Sequence, residues 1–177
     1  MAQLPDKTEL HNKYLTLALE EAQKCVPTPT AFCVGCAIVV NKADGTPSVL
    51  ATGYSRELPG NTHAEANALA KAQLLSQEDL RAFDPKMQHP SIDHLLSVAD
   101  VYTTLEPCSV RTSGLAPCAD ALIEAGIRRC IIGVGEPDDF VNCEGASKLK
   151  DAGVEVIWLS GLEEQCLAVA RRGHLKS

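Results

Sequence analysis

Long apolar runs are missing from this sequence. No segment approaches the roughly 18 consecutive apolar residues that a membrane-spanning helix needs. Residues 1–9 are polar and lack the apolar core of a signal peptide. Eight cysteines without a secretory signal are typical of a reducing compartment, where thiols stay free or bind metal. We therefore expect a cytoplasmic protein with no membrane partner.

Basic residues are also in short supply. Lysine and arginine together number 16 against 23 aspartates and glutamates, a formal net charge of −7. A polyanionic partner requires clustered positive charge, and the pairs Arg128-Arg129 and Arg171-Arg172 stand alone. We expect no nucleic-acid partner. Internal repeats are absent too, and 177 residues suffice for a substantial core, so we expect a single domain over residues 1–177.

Strand and helix patterns alternate along the chain. After residue 60 this alternation predicts an α/β fold with a largely parallel sheet covered on both faces. Two earlier strands are joined by the turn signal Asp44-Gly45 and predict a hairpin. Residues 76–95 are polar and are interpreted as a surface insertion. The predicted strands span 34–40, 48–54, 99–105, 129–134 and 154–159. The predicted helices span 64–75, 119–125, 145–152 and 162–171, after an N-terminal helix that Pro27 and Pro29 end.

One histidine and two cysteines suggest a metal site. His63 is followed far downstream by Pro107-Cys108 and Pro117-Cys118. Three such ligands can hold one zinc ion per chain and leave its fourth position open for water. Glu65, which is not needed as a ligand, can then move protons as a general acid and base. This arrangement is the signature of zinc-dependent deaminases of bases and nucleosides.

The predicted zinc site also requires that two helices begin close to the ligands. Residues two apart lie on nearly opposite faces of a helix, so His63 should stand at a helix start, where Glu65 can still face the metal. Asn61 and Thr62 lie just upstream, and either can cap that helix. Pro117 suits the first turn of another helix, which places Cys118 where the helix dipole favours a thiolate.

The remaining cysteines and histidines have simpler interpretations. The pair Cys33 and Cys36 has redox-like spacing, but it leads directly into an apolar strand and has no second pair to complete a zinc site. A purely structural zinc at the predicted ligands would need a fourth ligand, and none is evident. The other residues are interpreted as packed or solvated side chains: Cys25, Cys33, Cys36, Cys130, Cys143, Cys166, His11, His89, His94 and His174.

The chain resembles the cytidine-deaminase superfamily, and within it the riboflavin-pathway pyrimidine deaminases of the fungal type. The resemblance implies a three-layer α/β/α sandwich with a mixed five-stranded sheet. It also implies a homodimer, because members of the superfamily commonly assemble. The bacterial form adds a reductase domain, for which we expect no room in 177 residues. The similarity rests on residues 30–35, 53–65 and 102–109, then on Arg111, Ser113-Gly114, Pro117-Cys118 and Glu136-Pro137-Asp138.

Three departures from bacterial relatives favour the fungal type. Bacterial members carry Asn-Pro in place of Ala31-Phe32 and Asp-Pro-Asn in place of residues 136–138, and their cysteine ligands are one residue closer together. The fungal form acts after the ribose has been reduced. The implied substrate is 2,5-diamino-6-ribitylamino-4(3H)-pyrimidinone 5'-phosphate, and the implied products are 5-amino-6-ribitylaminouracil 5'-phosphate and ammonia.

Residues near the predicted ligands are candidates for binding the substrate. The loop between the cysteine ligands must pass the site, and the Arg111 guanidinium there suits a phosphate, although it can also simply be solvated. Asn61 can contact the base or cap the helix, and Glu136 and Asp138 can accept hydrogen bonds or stabilise a turn. The full set of candidates is Arg56, Asn61, Ser109, Arg111, Thr112, Ser113, Glu136 and Asp138.

Two other functions compete with this hypothesis. One is deamination of a different substrate: cytidine, deoxycytidylate, guanine or an adenosine in tRNA. The acidic net charge disfavours tRNA. The other is a catalytically silent zinc module, whose mark would be loss of the glutamate, and Glu65 is present.

Overall fold

Five strands and seven helices form within residues 7–111, 113–137 and 143–174, the part of the chain that the computed structural model describes. Every predicted strand and helix is confirmed, and all the ends that were given by number agree to within about two residues; the N-terminal helix ends at Gln23, before the two prolines. None of the described helices has the length and apolar character that crossing a membrane requires. The strands are β1 (Gly35–Asn41), β2 (Pro47–Tyr54), β3 (Asp100–Leu105), β4 (Arg129–Val134) and β5 (Glu155–Trp158). The helices are α1 (Lys7–Gln23), α2 (Ala64–Gln73), α3 (Gln77–Phe83), α4 (Ile92–Ser97), α5 (Cys118–Glu124), α6 (Gly145–Asp151) and α7 (Glu163–Ala170).

The strands form one mixed sheet in the order β2-β1-β3-β4-β5. Strand β1 pairs antiparallel with β2 and β3, whereas β3, β4 and β5 run parallel. The carboxyl ends of β3 and β4 therefore lie at the same edge as the start of β1 and the end of β2. Ligands of α/β sheets bind at such edges.

The central strands are buried on both faces, which makes three layers. In β1, Ile38 and Val40 pack into the core beneath α2 and α5, while Ala37 and Val39 pack with α1 on the other face. This alternation follows from the two-residue repeat of a strand. The α/β fold with a five-stranded mixed sheet and helices on both faces is confirmed.

Residues 76–95 lie mostly at the surface, as predicted, but they also form helices and contribute to the core, which the sequence analysis missed. The segment contains α3 and the start of α4, and Leu80 and Leu95 are buried in the core. A capping box between Ser76 and Asp79 begins α3. The polar composition of the segment concealed these two core leucines.

Helix α2 approaches the sheet closely at Gly53. A Cβ atom at this position would lie 2.3 Å from the Ala64 carbonyl oxygen and 2.6 Å from the Ala68 nitrogen. Only glycine permits this approach. The first turn of α2 is therefore seated directly over the end of β2, beside the sheet edge described above.

Candidate active site

The three predicted metal ligands converge at the sheet edge. Cys108 follows the end of β3, His63 is the N-cap of α2, and Cys118 is the first residue of α5. His63 Nδ1 lies 3.5 Å from Cys108 Sγ and 3.4 Å from Cys118 Sγ. The Cys118 backbone N–H donates to Cys108 Sγ at 3.3 Å. Three separate elements thus bring one nitrogen and two sulfurs to one point.

This geometry fits zinc. Zn–S bonds of about 2.3 Å and Zn–N bonds of about 2.0–2.1 Å at a tetrahedral angle place nitrogen and sulfur about 3.6 Å apart. The two nitrogen-to-sulfur distances above are within about 0.2 Å of that value. No other group of three such donors occurs among the described residues. Three protein ligands leave the fourth zinc position open, as in catalytic zinc sites.

The two ligand sulfurs influence each other's ionisation. A hydrogen bond from the Cys118 thiol lowers the pKa of Cys108 to about 4, and the same bond raises the pKa of Cys118 well above that of an ordinary cysteine. A divalent metal held here would replace the thiol proton and ionise both sulfurs. Their two negative charges would balance those of the metal, so the burial of Cys118 would carry no uncompensated charge.

Glu65 lies in the first turn of α2 beside the ligands. Its side chain is only 3% exposed, and the Thr103 hydroxyl donates to its Oε1 atom at 2.9 Å. Burial raises the pKa of Glu65, and the negative charge of Cys108 raises it further. A buried carboxyl group with a raised pKa takes up a proton more readily than an ordinary glutamate, which suits a general base.

The predicted helix start at His63 is confirmed, but the predicted caps are wrong. No side chain caps α2. The Thr62 hydroxyl instead donates to the Leu58 carbonyl at 3.0 Å and accepts from the Asn67 amide at 3.0 Å. Because these two hydrogen bonds engage the Thr62 hydroxyl, it does not cap the helix. Pro117 occupies the N-cap position of α5, so Cys118 opens that helix.

A cavity of about 240 Å³ opens beside the ligands and Glu65. Its walls come from the segment before β1, the loop after β2, the loop that carries Cys108 and the segment after β4. Nine predicted site residues line it: Arg56, Asn61, His63, Glu65, Cys108, Ser109, Arg111, Ser113 and Glu136.

Comparison with known proteins agrees with this geometry. A family model described as the cytidine and deoxycytidylate deaminase zinc-binding region matches residues 8–134. This chain belongs to that deaminase family. Its zinc-binding character agrees with the cluster of His63, Cys108 and Cys118.

Two fungal proteins are similar to this family member along most of its length. It is 42% identical over 164 residues, 93% of this chain and 36% of the relative, to the diaminohydroxyphosphoribosylamino-pyrimidine deaminase of Schizosaccharomyces pombe. A C-terminal deletion mutant of Aspergillus oryzae Rib2 deaminase has a similar structure, with TM-score 0.73 and 34% identity over 93% of this chain and 92% of the other. The same protein in complex with DARIPP matches with TM-score 0.70 and 33% identity over 93% and 91%. The chain spans about a third of the length of the curated relatives that it matches.

The loop between the cysteine ligands lines one side of the cavity. Arg111 Nη2 donates to the Asn61 carbonyl at 2.6 Å, which joins this loop to the one before α2. The Ser109 hydroxyl accepts from the Glu144 backbone N–H at 3.2 Å. Ser113 is exposed at the rim. Arg111, Ser109 and Ser113 are therefore placed where a bound molecule would meet them.

Arg56 forms part of the opposite wall. Its guanidinium donates to the Phe32 and Val26 carbonyls at 3.1 and 3.0 Å and contacts the Cys25 sulfur at 2.8 Å. Its backbone has φ of 62°, the left-handed region, which residues other than glycine rarely adopt. Most of the donor groups of Arg56 therefore hold the segment before β1, although the side chain still lines the cavity.

Glu136 and Cys143 lie at the cavity wall next to β4. Burial raises the pKa of Glu136, and burial also raises the pKa of Cys143 to about 12. Cys143 was interpreted as a packed or surface residue, yet it lines the cavity. The other five cysteines outside the metal cluster are buried. Asp138 and Thr112 lie outside the described residues.

Glu106 is a site residue that the sequence analysis missed. Its Oε1 atom accepts from the Ala146 N–H at 2.8 Å, at the start of α6. There Gly145 approaches so closely that a Cβ atom would lie 1.7 Å from the Pro107 carbonyl oxygen. Glu106 thus ties α6 to the segment that carries Cys108. It lies within residues 102–109, which carry part of the family resemblance, but no sequence pattern pairs it with Ala146.

Proposed function

We propose that residues 1–177 form one deaminase domain that hydrolyses 2,5-diamino-6-ribitylamino-4(3H)-pyrimidinone 5'-phosphate to 5-amino-6-ribitylaminouracil 5'-phosphate and ammonia. The observation that carries this proposal is the buried Glu65 carboxyl beside His63, Cys108 and Cys118, facing one cavity. The similarity to the named fungal pyrimidine deaminases supports this substrate class. The preference for ribityl over ribosyl rests on the fungal-type residues at 31–32 and 136–138.

The residues of the site divide the chemistry among them. His63, Cys108 and Cys118 would hold a zinc ion, which when bound would lower the pKa of a water molecule from about 15.7 towards about 7. Glu65 accepts a proton from the attacking water and passes protons to a ring nitrogen and to the departing amine. The bond from ring carbon 2 to its exocyclic nitrogen breaks, and a carbonyl forms at that carbon. Burial of Glu65 keeps bulk water from competing for the proton.

Substrate contacts complete the proposal. Arg111 would bind the phosphate, since a guanidinium forms charge-assisted hydrogen bonds to phosphate oxygens, and Ser109 and Ser113 lie in the same loop. Asn61 would contact the base. Arg56 is a second phosphate candidate, and Glu136 and Asp138 would accept hydrogen bonds from ring amines or ribityl hydroxyls.

A matched deamination assay tests the proposal. Zinc-loaded protein is offered the ribitylamino pyrimidine phosphate, its ribosylamino counterpart and cytidine, and ammonia release is followed. We expect release from the ribitylamino phosphate alone. Release from cytidine or from the ribosylamino compound instead would overturn the substrate assignment and keep the deaminase chemistry. A zinc-loaded protein that releases ammonia from none of the three would contradict the proposal.

The phosphate contact predicts a substrate-dependent effect of Arg111→Ala. Hydrogen bonds to charged groups are worth about 1.5–3 kcal/mol, so kcat/KM for the phosphorylated substrate should fall about 10–100-fold. The dephosphorylated substrate should lose much less. Arg128→Ala is the matched control, because Arg128 pairs with Asp100 at the opposite end of β3. Equal losses on both substrates would show that Arg111 acts through Asn61 and not through phosphate.

Two further expectations stay predictions. A homodimer is expected from the family resemblance, and light scattering measures it against the 18.9 kDa of one chain. The cytoplasmic location is likewise expected from the sequence.

A further inference from the structure

Thr103 occupies a central position beneath the candidate site. It lies in β3, is fully buried, and pairs with Cys36 of β1 and Ile132 of β4. Cys36 and Ile132 belong to the core beneath α2. The Thr103 side chain therefore points from the sheet towards the first turn of α2.

The Thr103 hydroxyl lies between two oxygen atoms. Its Oγ1 is 2.9 Å from Glu65 Oε1 and 3.0 Å from the Leu105 carbonyl oxygen. A hydroxyl has one hydrogen to donate and two lone pairs that accept. The Thr103 hydroxyl therefore anchors one carboxyl oxygen of Glu65 next to the end of β3.

Two other groups contact the Glu65 carboxyl. The backbone N–H of Glu65 is one, but it belongs to the same residue. The Cys118 sulfur is the other, and a bound metal would take the sulfur proton and leave no donor there. Thr103 remains as a neutral donor and acceptor fixed to a central strand. A long carboxylate side chain without such a contact would lose its single orientation, because glutamate has several rotatable bonds.

We infer that Thr103 is the positioning residue for Glu65: its hydroxyl, fixed to the central strand β3, holds the Oε1 atom of the carboxyl group in place beside the cavity. This inference rests on the proposed function, in which Glu65 moves protons to and from the substrate. Thr103 does not touch the reacting atoms. It acts by keeping the carboxyl group in line with the cavity that Glu65 faces.

Paired substitutions at Thr103 test the inference. Thr103→Val keeps the shape and removes the hydroxyl, whereas Thr103→Ser keeps the hydroxyl. A misplacement of about 1 Å in a catalytic group can cost about 100-fold in rate. We therefore expect Thr103→Val to lower kcat about 10–100-fold, with KM and zinc content unchanged. We expect Thr103→Ser to stay within about 3-fold of wild type.

Thr104→Val is the matched control. Thr104 is also buried, and its hydroxyl accepts from the Gly35 N–H at 3.1 Å, away from Glu65. This variant should lose thermal stability and keep kcat. A Thr103→Val protein with wild-type kcat, or a loss that Thr103→Ser does not rescue, would overturn the inference.

Infrared difference spectra between the wild type and each variant test this inference without relying on activity. The carboxyl band of Glu65 is assigned by its disappearance in Glu65→Gln. It should shift in Thr103→Val and stay in place in Thr103→Ser and Thr104→Val. If no pyrimidine releases ammonia, the proposed function fails, but the position of the carboxyl band still shows whether Thr103 contacts Glu65. An unchanged band in Thr103→Val would overturn the inference whatever the activity.

Discussion

Glu65→Gln is expected to reduce kcat towards the upper end of the range of about 10²–10⁴-fold that general acid–base catalysis contributes. The amide keeps the size of the side chain and its contact with Thr103, but it cannot accept the proton of the attacking water. More than one proton transfer depends on this group, so the full loss should appear in kcat. The measurement is ammonia release from zinc-loaded protein under saturating substrate.

The Glu65→Gln result tests proton transfer only if the variant keeps the zinc content and the thermal stability of the wild type. Glu57→Gln is the matched control, because Glu57 forms an ion pair with Lys71 at 2.6 Å and does not line the cavity. It should keep nearly full activity, since partly exposed ion pairs contribute at most about 1 kcal/mol. Substantial turnover by zinc-loaded Glu65→Gln would remove Glu65 from the mechanism.

Cys118→Ala is expected to abolish zinc binding at working concentrations and, with it, activity. Four-ligand zinc sites bind with about 10–16 kcal/mol, so one ligand carries about 3–4 kcal/mol, or a loss of about 10²–10³-fold in affinity. Metal analysis after dialysis should find one zinc per wild-type chain and almost none in the variant. Chelation of the wild type should have the same effect, and added zinc should reverse it.

Cys166→Ala provides the comparison for a buried cysteine outside the site. Cys166 lies in α7 on the other face of the sheet and is fully buried. Its replacement should lower the unfolding midpoint by creating a small cavity and leave one zinc bound. Retention of stoichiometric zinc by Cys118→Ala would show that the ligand set is wrong.

Patterns within short segments predicted the elements of this fold well. The apolar run of β1 and the turn at Asp44-Gly45 specify the first hairpin because strand periodicity and turn chemistry are local. The same local patterns did not reveal the helices or the core leucines within residues 76–95. The two leucines that the sheet buries there, Leu80 and Leu95, stand among polar residues, and only their packing partners reveal their place in the core.

The sequence by itself determined which atoms could bind zinc and which carboxyl group could move protons, because residue type sets ligand chemistry and acid–base capacity. It also determined that His63 begins a helix. Only the tertiary structure decided that Thr103 meets Glu65, that most donor groups of Arg56 bind backbone carbonyls and a thiol, and that Glu106 binds the start of α6. Each of these contacts joins residues far apart in the chain. Sheet register and helix packing set such contacts, and no periodicity within a single segment encodes them.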